Sequence, residues 1–472
     1  MLLSNIELAT SILLLLCLLG AFAFEFVNGF HDTANAVATV IYTHTLKPWT
    51  AVIWSGICNF LGVLLGGITV AMGIVNLLPI ELLIDQNVAH GISLVAAILI
   101  TAVAWNLLTW YYGIPCSSSH TLIGSILGVG IAFTLLPHTD GVAINFTKAK
   151  EIGLALLISP LFGFSAAIIL MYLIRRFTKK TPMGDMLFKE PKKNSPPPWI
   201  VRSILMFTCT LVSFSHGSND GQKGVGLVML VLICILPAYY SINPDFDTGK
   251  IAGSLARIEQ LMATVDRSSL SKTDQRKLVD SRAMNTELQT ILTNAPTAEA
   301  IEPNIRFQVR RLTLVINRNL NSLKNNPDLR LSESDKKTVY NELKSVRIIT
   351  DYSPRWVIVL ISLSLGIGTM IGWKRIVKTV GEKIGKEHLT YAQGASAEAV
   401  AASTITLASQ FGWPVSTTHV LSSGIAGSMV ANKGVRNLQP QTIRNIMLAW
   451  VLTLPVVIIA SGSIFLLLRW LF

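Results

Sequence analysis

Nine ionisable residues stand inside stretches that are otherwise apolar: Glu25, His31, Asp32, His120, His216, Asp220, Lys223, Glu398 and His419. A charge in such a segment is expensive, so each is read first as functional. Most fall in or beside repeated motifs. Asp32 belongs to Gly29-Phe30-His31-Asp32-Thr33-Ala34-Asn35, and Asp220 to Gly217-Ser218-Asn219-Asp220-Gly221-Gln222-Lys223. An Asp beside Asn35 or Asn219 supplies hard oxygens for a small cation, or a site for a proton. Gly29, Gly217, Gly221 and Gly224 let a backbone unwind or approach a ligand closely. A broken helix would expose carbonyls to cations and N–H groups to anions. The competing reading is that these polar groups only cap and pair with one another inside a helix bundle.

A second repeated motif carries hydroxyls. Pro115 precedes Ser117, Ser118 and Ser119, and Pro414 precedes Ser416, Thr417 and Thr418. Pro and Ser/Thr start helices. A helix N-terminus offers free N–H donors and the positive end of a dipole, which suits an oxyanion. The hydroxyls, Thr121 included, add donors for a tetrahedral anion. Alternatively, small residues there, with Gly124 and Gly128, allow close helix packing. His120 and His419 follow the triplets and either relay protons or orient a hydroxyl. Lys223, aligned with Asn35, either attracts the anion or pairs with Asp220. Glu25 and Glu398 serve in coupling or in buried hydrogen bonds.

The elements that must position these residues are membrane helices. The chain has 472 residues, 51% hydrophobic and 14% charged, with a mean hydropathy of +0.52. Soluble domains run at about 25% charged. Spanning a lipid core takes about 20 apolar residues per helix, and backbone groups in lipid must bond internally. No alternating strands of the kind a β-barrel needs are present. Apolar segments lie at about 6–28, 32–46, 50–76, 88–112, 114–136 and 150–176, then at about 199–218, 223–243, 355–373, 389–411, 414–431 and 441–470. The two sets of six carry the two motif pairs at matched positions, which is an internal duplication.

The expected fold is therefore an all-α polytopic membrane protein of two inverted repeats with broken or re-entrant helices and one helical extramembrane insert. Inversion rests on loop charge. Residues 77–88 carry Glu81 and Asp85 and no Lys or Arg, whereas the matched stretch carries Lys374, Arg375, Lys378, Lys383 and Lys386. Opposite charge bias places loops on opposite sides of a membrane. The expected layout is a first repeat at 1–177, a basic linker at 178–198, the start of the second repeat at 199–243, a hydrophilic insert at 244–353, and the remainder at 354–472. In the insert, Ile251, Leu255, Ile258, Leu261, Met262 and Val265 recur at helical spacing. Ser332-Glu333-Ser334-Asp335 reads as a helix start.

The net charge of +12 sits in loops, the linker and the insert, as membrane topology requires, and no nucleic-acid motif accompanies it. Cys17, Cys58, Cys116, Cys209 and Cys234 lie in apolar segments without CxxC spacing, so no disulfide framework is implied. The first 24 residues lack the basic start of a signal peptide and read as a retained helix.

At this point the motifs resemble a known family. The segments 29–36 and 216–221 resemble the paired signature of the inorganic phosphate transporter (PiT) family. Ser118-Ser119-His120-Thr121 and the segment 414–419 resemble its second repeated element. The likeness covers roughly 20–243 and 355–470. It is greatest to the bacterial low-affinity phosphate permeases, through 221–224 and Trp450. The resemblance implies secondary active symport of inorganic phosphate in a bacterial inner membrane, with no resident cofactor and no enzymatic activity. It implies proton coupling, with phosphate taken as a complex with magnesium or another divalent cation; sodium coupling is the alternative. On the family pattern, Asp32, Asn35 and Asp220 would serve cation and phosphate binding, and the two triplets would cradle the anion. His31 replaces the family's usual Asn, which removes one oxygen ligand and adds a titratable group. A homodimer is expected. The residues alone also admit another oxyanion such as sulfate, a channel, or an intramembrane serine hydrolase. The last is disfavoured because every candidate is duplicated and no Gly-x-Ser-x-Gly elbow exists.

Overall fold

Leucine-rich stretches with few charges make long helices here, and glycine decides how closely they cross. The computed structural model describes residues 8–78, 82, 87–137, 146–191, 195–324, 326 and 328–471; the side chains of Thr33, Asn35 and residues 146–148 lie outside the description. The first part of the chain forms α1 (Leu8–Tyr42), α2 (Pro48–Leu65), α3 (Thr69–Val75), α4 (Val88–Tyr111), α5 (Ser118–Thr134) and α6 (Phe146–Thr178). Then come α7 (Trp199–Ile235), α8 (Thr248–Ala263), α9 (Lys272–Asn294), α10 (Pro303–Lys324) and α11 (Glu333–Val346). The chain closes with α12 (Arg355–Met370), α13 (Tyr391–Gln410), α14 (Thr417–Lys433) and α15 (Pro440–Leu471).

Among the described residues, six helices are long and apolar enough to cross a membrane, and a seventh span arises if α12 is joined to the segment Lys374–Lys383, bent from it by 53°. Together with the all-helical fold, this makes the chain a multi-pass membrane protein. α6 and α15 present Leu157, Leu161 and Phe162, and Val451, Ile459 and Leu467, outward. A belt of this kind is suited to lipid.

The helices do not break where the sequence reading put breaks. The segments 6–28 and 32–46 are one helix, α1, which runs straight through Gly29 and Asp32. Likewise 199–218 and most of 223–243 are one helix, α7, through Gly217 and Asp220. The physical reason is close packing. A β-carbon on Gly29 would lie 2.6 Å from the Leu365 carbonyl oxygen, and one on Gly217 would lie 2.2 Å from that of Asn59. These glycines lower helix propensity by about 1 kcal/mol each, but they let α1 lie against α12 and α7 against α2, as small residues do between membrane helices. The breaks fall elsewhere: Gly67 (φ +80°) ends the α2 region, Gly372 (φ +73°) bends α12 into 374–383, and Gly113 and Gly412 turn into the hydroxyl triplets.

The crossings come in matched pairs. A β-carbon on Gly368 would lie 2.2 Å from the Phe26 carbonyl oxygen, and one on Gly62 would lie 2.2 Å from that of Phe214. Gly128 meets Ile458 of α15 at 2.2 Å by the same measure, as Gly427 of α14 meets Phe164 of α6 at 2.3 Å. In every case a helix of one half lies on a helix of the other. The two motif-bearing halves thus exchange partners. The loop charges behind the inverted arrangement are described only in part: Glu81 and Asp85 lie outside the described residues, and 374–383 is helical rather than a loop. In the linker, Lys192 and Lys193 also lie outside them, and Pro182–Leu187 is a short helix capped by Thr181.

A second compact unit comprises residues 80–88 and 232–353, wider than the hydrophilic stretch 244–353. Its core joins Ile251, Leu255, Ile258 and Met262 of α8 to Leu278, Leu288, Val309, Ile316 and Leu343. Ser332 caps α11 by accepting from the Asp335 amide at 3.1 Å. Arg310 is buried there, donating to the Ser241 carbonyl at 3.1 Å. Burial pushes the guanidinium pKa below its ordinary value.

Candidate functional site: two helix ends on two carboxylates

Each hydroxyl triplet is built the same way. A glycine with positive φ, Gly113 (+65°) or Gly412 (+67°), turns the chain out of the preceding helix. The proline that follows fixes an extended approach. Ser117 then N-caps α5, accepting from the His120 amide at 3.2 Å, and Ser416 N-caps α14, accepting from the His419 amide at 3.1 Å. The next two residues of each helix therefore stand at its positive end, and all six triplet residues are buried.

Both ends face the same pair of carboxylates. Ser118 donates to Asp32 Oδ2 at 3.0 Å and contacts Asp220 Oδ2 at 3.4 Å. Thr417 contacts Asp220 Oδ2 at 3.5 Å, and Thr418 donates to Asp32 Oδ1. His216 Nε2 lies 3.5 Å from Asp220 and 3.8 Å from Asp32, while its Nδ1 meets Asn59 Oδ1 at 2.9 Å. His31 Nδ1 is 3.7 Å from Asp32, and its Nε2 is 3.2 Å from Thr109 Oγ1. Asp32, His216 and Asp220 offer ligand atoms that all lie within 4.8 Å of one another. This donor set of two carboxylates and one imidazole fits a divalent cation.

Lys223 pairs with Asp220 at 2.5 Å and donates to Ser119 Oγ at 2.5 Å; both charged side chains are fully buried. Ser119 in turn donates to the Val415 carbonyl at 2.8 Å. Thr121 bonds back to the Ser117 carbonyl within its own helix at 3.0 Å. Asn219 Nδ2 ties the second loop, donating to Ser409 Oγ at 2.9 Å and to the Trp413 carbonyl at 3.2 Å. The Asn35 side chain lies outside the described residues.

His120 and His419 sit behind the triplets, with ring centroids 4.5 Å apart, and Trp450 stacks on His419 at 3.9 Å. Neither ring nitrogen of His419 has a hydrogen-bond partner among the described residues. Glu398 is not part of the central cluster. It accepts from Thr208 at 2.5 Å and from Thr39, which lies seven residues along α1 from Asp32, about 10 Å away along the helix. Glu25 lies seven residues the other way and accepts from Asn28 at 3.0 Å. Acidic groups thus occupy three levels along one face of α1.

The sequence reading assigned no role to three residues that the structure places in or behind the site. His216 supplies one corner of the cluster, and its motif was the signal. Asn59 orients His216 and donates to Thr369 at 3.0 Å; a neutral polar residue in the apolar segment 50–76 gave little signal. Gln222 holds the chain between α2 and α3, donating to the Gly66 carbonyl at 2.9 Å and accepting from the Val70 amide at 2.8 Å.

Buried hydroxyls at two dipole ends, set against two carboxylates, form a site in which an anion and a cation can be held together. Residues 28–461 match the model of the phosphate transporter family. The chain is 40% identical to the low-affinity inorganic phosphate transporter PitA of Escherichia coli strain K12, covering 98% of each chain. It is 28% identical to the probable low-affinity inorganic phosphate transporter of Bacillus subtilis strain 168, covering 96% of this chain and 95% of that protein. In fold it is similar to a solved structure described as the sodium-dependent phosphate transporter, with a TM-score of 0.56 at 18% identity, covering 98% of this chain and all of that one. These relatives are transporters rather than enzymes, and this chain belongs to the phosphate transporter family.

Proposed function

We propose that the protein is a secondary active symporter of inorganic phosphate. It works by alternating access between inverted repeats, is driven by protons, and takes phosphate as a complex with magnesium or another divalent cation. The observation that carries this reading is the meeting of two hydroxyl-bearing helix N-termini on the Asp32 and Asp220 carboxylates. Carboxylate and phosphate are both anions and compete for the same hydroxyl donors. Phosphate therefore displaces the carboxylates only when these are neutralised, by protonation or by a cation. That requirement is coupling in physical terms. His31 and His216 beside the carboxylates favour protons, and the Asp32, His216 and Asp220 cluster suits the metal carried with phosphate. Rocking of one repeat against the other would then expose the site to the far side. We also propose a homodimer, on the family resemblance.

Radiolabelled phosphate uptake into proteoliposomes tests this. Uptake driven by an inward proton gradient and raised by magnesium supports the whole reading. Sodium-driven uptake would overturn proton coupling and keep phosphate. Sulfate moving in place of phosphate would overturn the substrate.

A further inference from the structure

The two halves of the site place the third hydroxyl of their triplets differently. In the second triplet the third hydroxyl, Thr418, donates directly to a carboxylate, Asp32. In the first triplet the third hydroxyl, Ser119, does not reach the corresponding carboxylate. An ammonium stands between them: Lys223 Nζ lies 2.5 Å from Asp220 Oδ2 and 2.5 Å from Ser119 Oγ. Lys223 is fully buried, and the matched position in the first motif is Asn35, a neutral residue. An oxygen pair around a buried monovalent charge is the setting in which a small metal cation binds.

The location is otherwise poor for a fixed positive charge. Ser119 lies in the first turn of α5, where the helix dipole repels cations, and burying an ammonium is costly unless it is paired. Asp220 provides that pairing. Formal charge shows what the lysine does. Asp32 and Asp220 contribute two negative charges and Lys223 one positive charge. Two helix N-termini add roughly half a charge each. The empty site is then close to neutral. Without the ammonium it would carry about one further negative charge, and an arriving anion would need one more free cation.

We propose that the Lys223 ammonium is a tethered cation, occupying within the protein the place that a free monovalent coupling cation would take between Asp220 and Ser119. The lysine travels with the carrier and is never released, so it lowers by one the number of free cations needed per phosphate. It also makes this half of the site indifferent to sodium. The proposal rests on the symporter reading for its transport consequence and on the geometry alone for its binding consequence.

The experiment compares the wild-type chain with Lys223→Asn, which copies Asn35, and Lys223→Ala, which leaves more space. Two readouts are taken: sodium-dependent thermal stabilisation of the purified protein, and phosphate uptake into proteoliposomes with and without an inward sodium gradient. The melting temperature of the wild type should not respond to sodium beyond an ionic-strength control with choline. At least one variant should be stabilised by sodium in a saturable manner, and its phosphate uptake, at least about tenfold reduced without sodium, should recover with it; a tenfold change corresponds to about 1.4 kcal/mol. Neither variant responding to sodium by either readout would overturn the proposal, as would saturable sodium stabilisation of the wild type. Absence of phosphate uptake by the wild type would overturn the symporter reading instead, and sodium stabilisation confined to a variant would still support the tethered cation.

Discussion

The two hydroxyl-bearing helix ends have the same local geometry but different supports. The first, 113–120, is held by the bent segment after α12. Thr379 donates to the Gly113 carbonyl at 2.8 Å, and Trp110 Nε1 to the Gly372 carbonyl at 2.8 Å. The Arg375 guanidinium lies 5.0 Å and 4.9 Å from the Trp110 and Tyr111 ring centroids and donates to the Tyr111 carbonyl at 2.5 Å. The second end, 412–419, leans on α3, whose residues 70–75 are all buried, and on Asn219. One strap is basic, with exposed charges at Lys374, Arg375 and Lys378; the other is apolar and enclosed. The two ends share a capping geometry while their supports differ, so they should respond differently to the same disturbance.

The largest effects should come where the halves converge. Asp32→Asn and Asp220→Asn should each lower phosphate uptake about 100-fold, the scale expected when a buried charge loses its hydrogen-bonded role at about 2–3 kcal/mol, with the protein still folded in the membrane. Transport retained in one variant alone would show that the halves are unequal at the carboxylates as well. Gly217→Ala should reduce the yield of folded protein sharply, since its methyl would lie 2.2 Å from the Asn59 carbonyl; overpacking costs about 1–3 kcal/mol or more. Gly153→Ala, with nothing within 4 Å, should be neutral or stabilising by up to about 1 kcal/mol, as thermal unfolding in detergent would report.

Arg375→Ala should cut uptake by up to about fivefold and make it less sensitive to ionic strength, because a cation–π contact at an exposed site is worth about 0.5–1 kcal/mol. Thr69→Ala, on the apolar strap, should change it less than about twofold. Equal effects would remove the distinction between the straps. The smallest effect belongs to the insert. The Ser271 hydroxyl and then Lys277 hold the Asp274 carboxyl below its ordinary value. A lowered carboxylate pKa contributes stability above the unfolded value of about 3.9 and loses it as pH falls through the folded one. Hydrogen exchange at the Asp274 amide should therefore quicken slightly below about pH 4, and Asp274→Asn should remove that pH dependence.

The motifs and their helix starts were legible in the sequence because both are local. Ser117 and Ser416 cap helices as their spacing predicts, and the periodicity at 251–265 marks the buried face of α8. What was not legible depended on partners from the other half. Gly29 and Gly217 look like helix breaks until Leu365 and Asn59 are seen against them. Lys223 admitted two roles in sequence, and its placement on Asp220 and Ser119 needed the fold. Glu398 ranked with the site residues because it is ionisable within an apolar segment, yet it pairs with Thr39 and Thr208 at another level. The charge argument for inversion rested on Glu81 and Asp85, which lie outside the described residues.

The exchange of partners also sets a timetable for biosynthesis. The notch at Gly29 is made early, but the helix that fills it, with Leu365, is synthesised more than three hundred residues later. At about 5–20 residues per second that interval is on the order of half a minute. Throughout it, α1 and α5 are without the neighbours they are shaped for. The first half is therefore an unfinished surface during synthesis, and premature termination after α7 should leave a product for quality control to remove rather than a half-carrier.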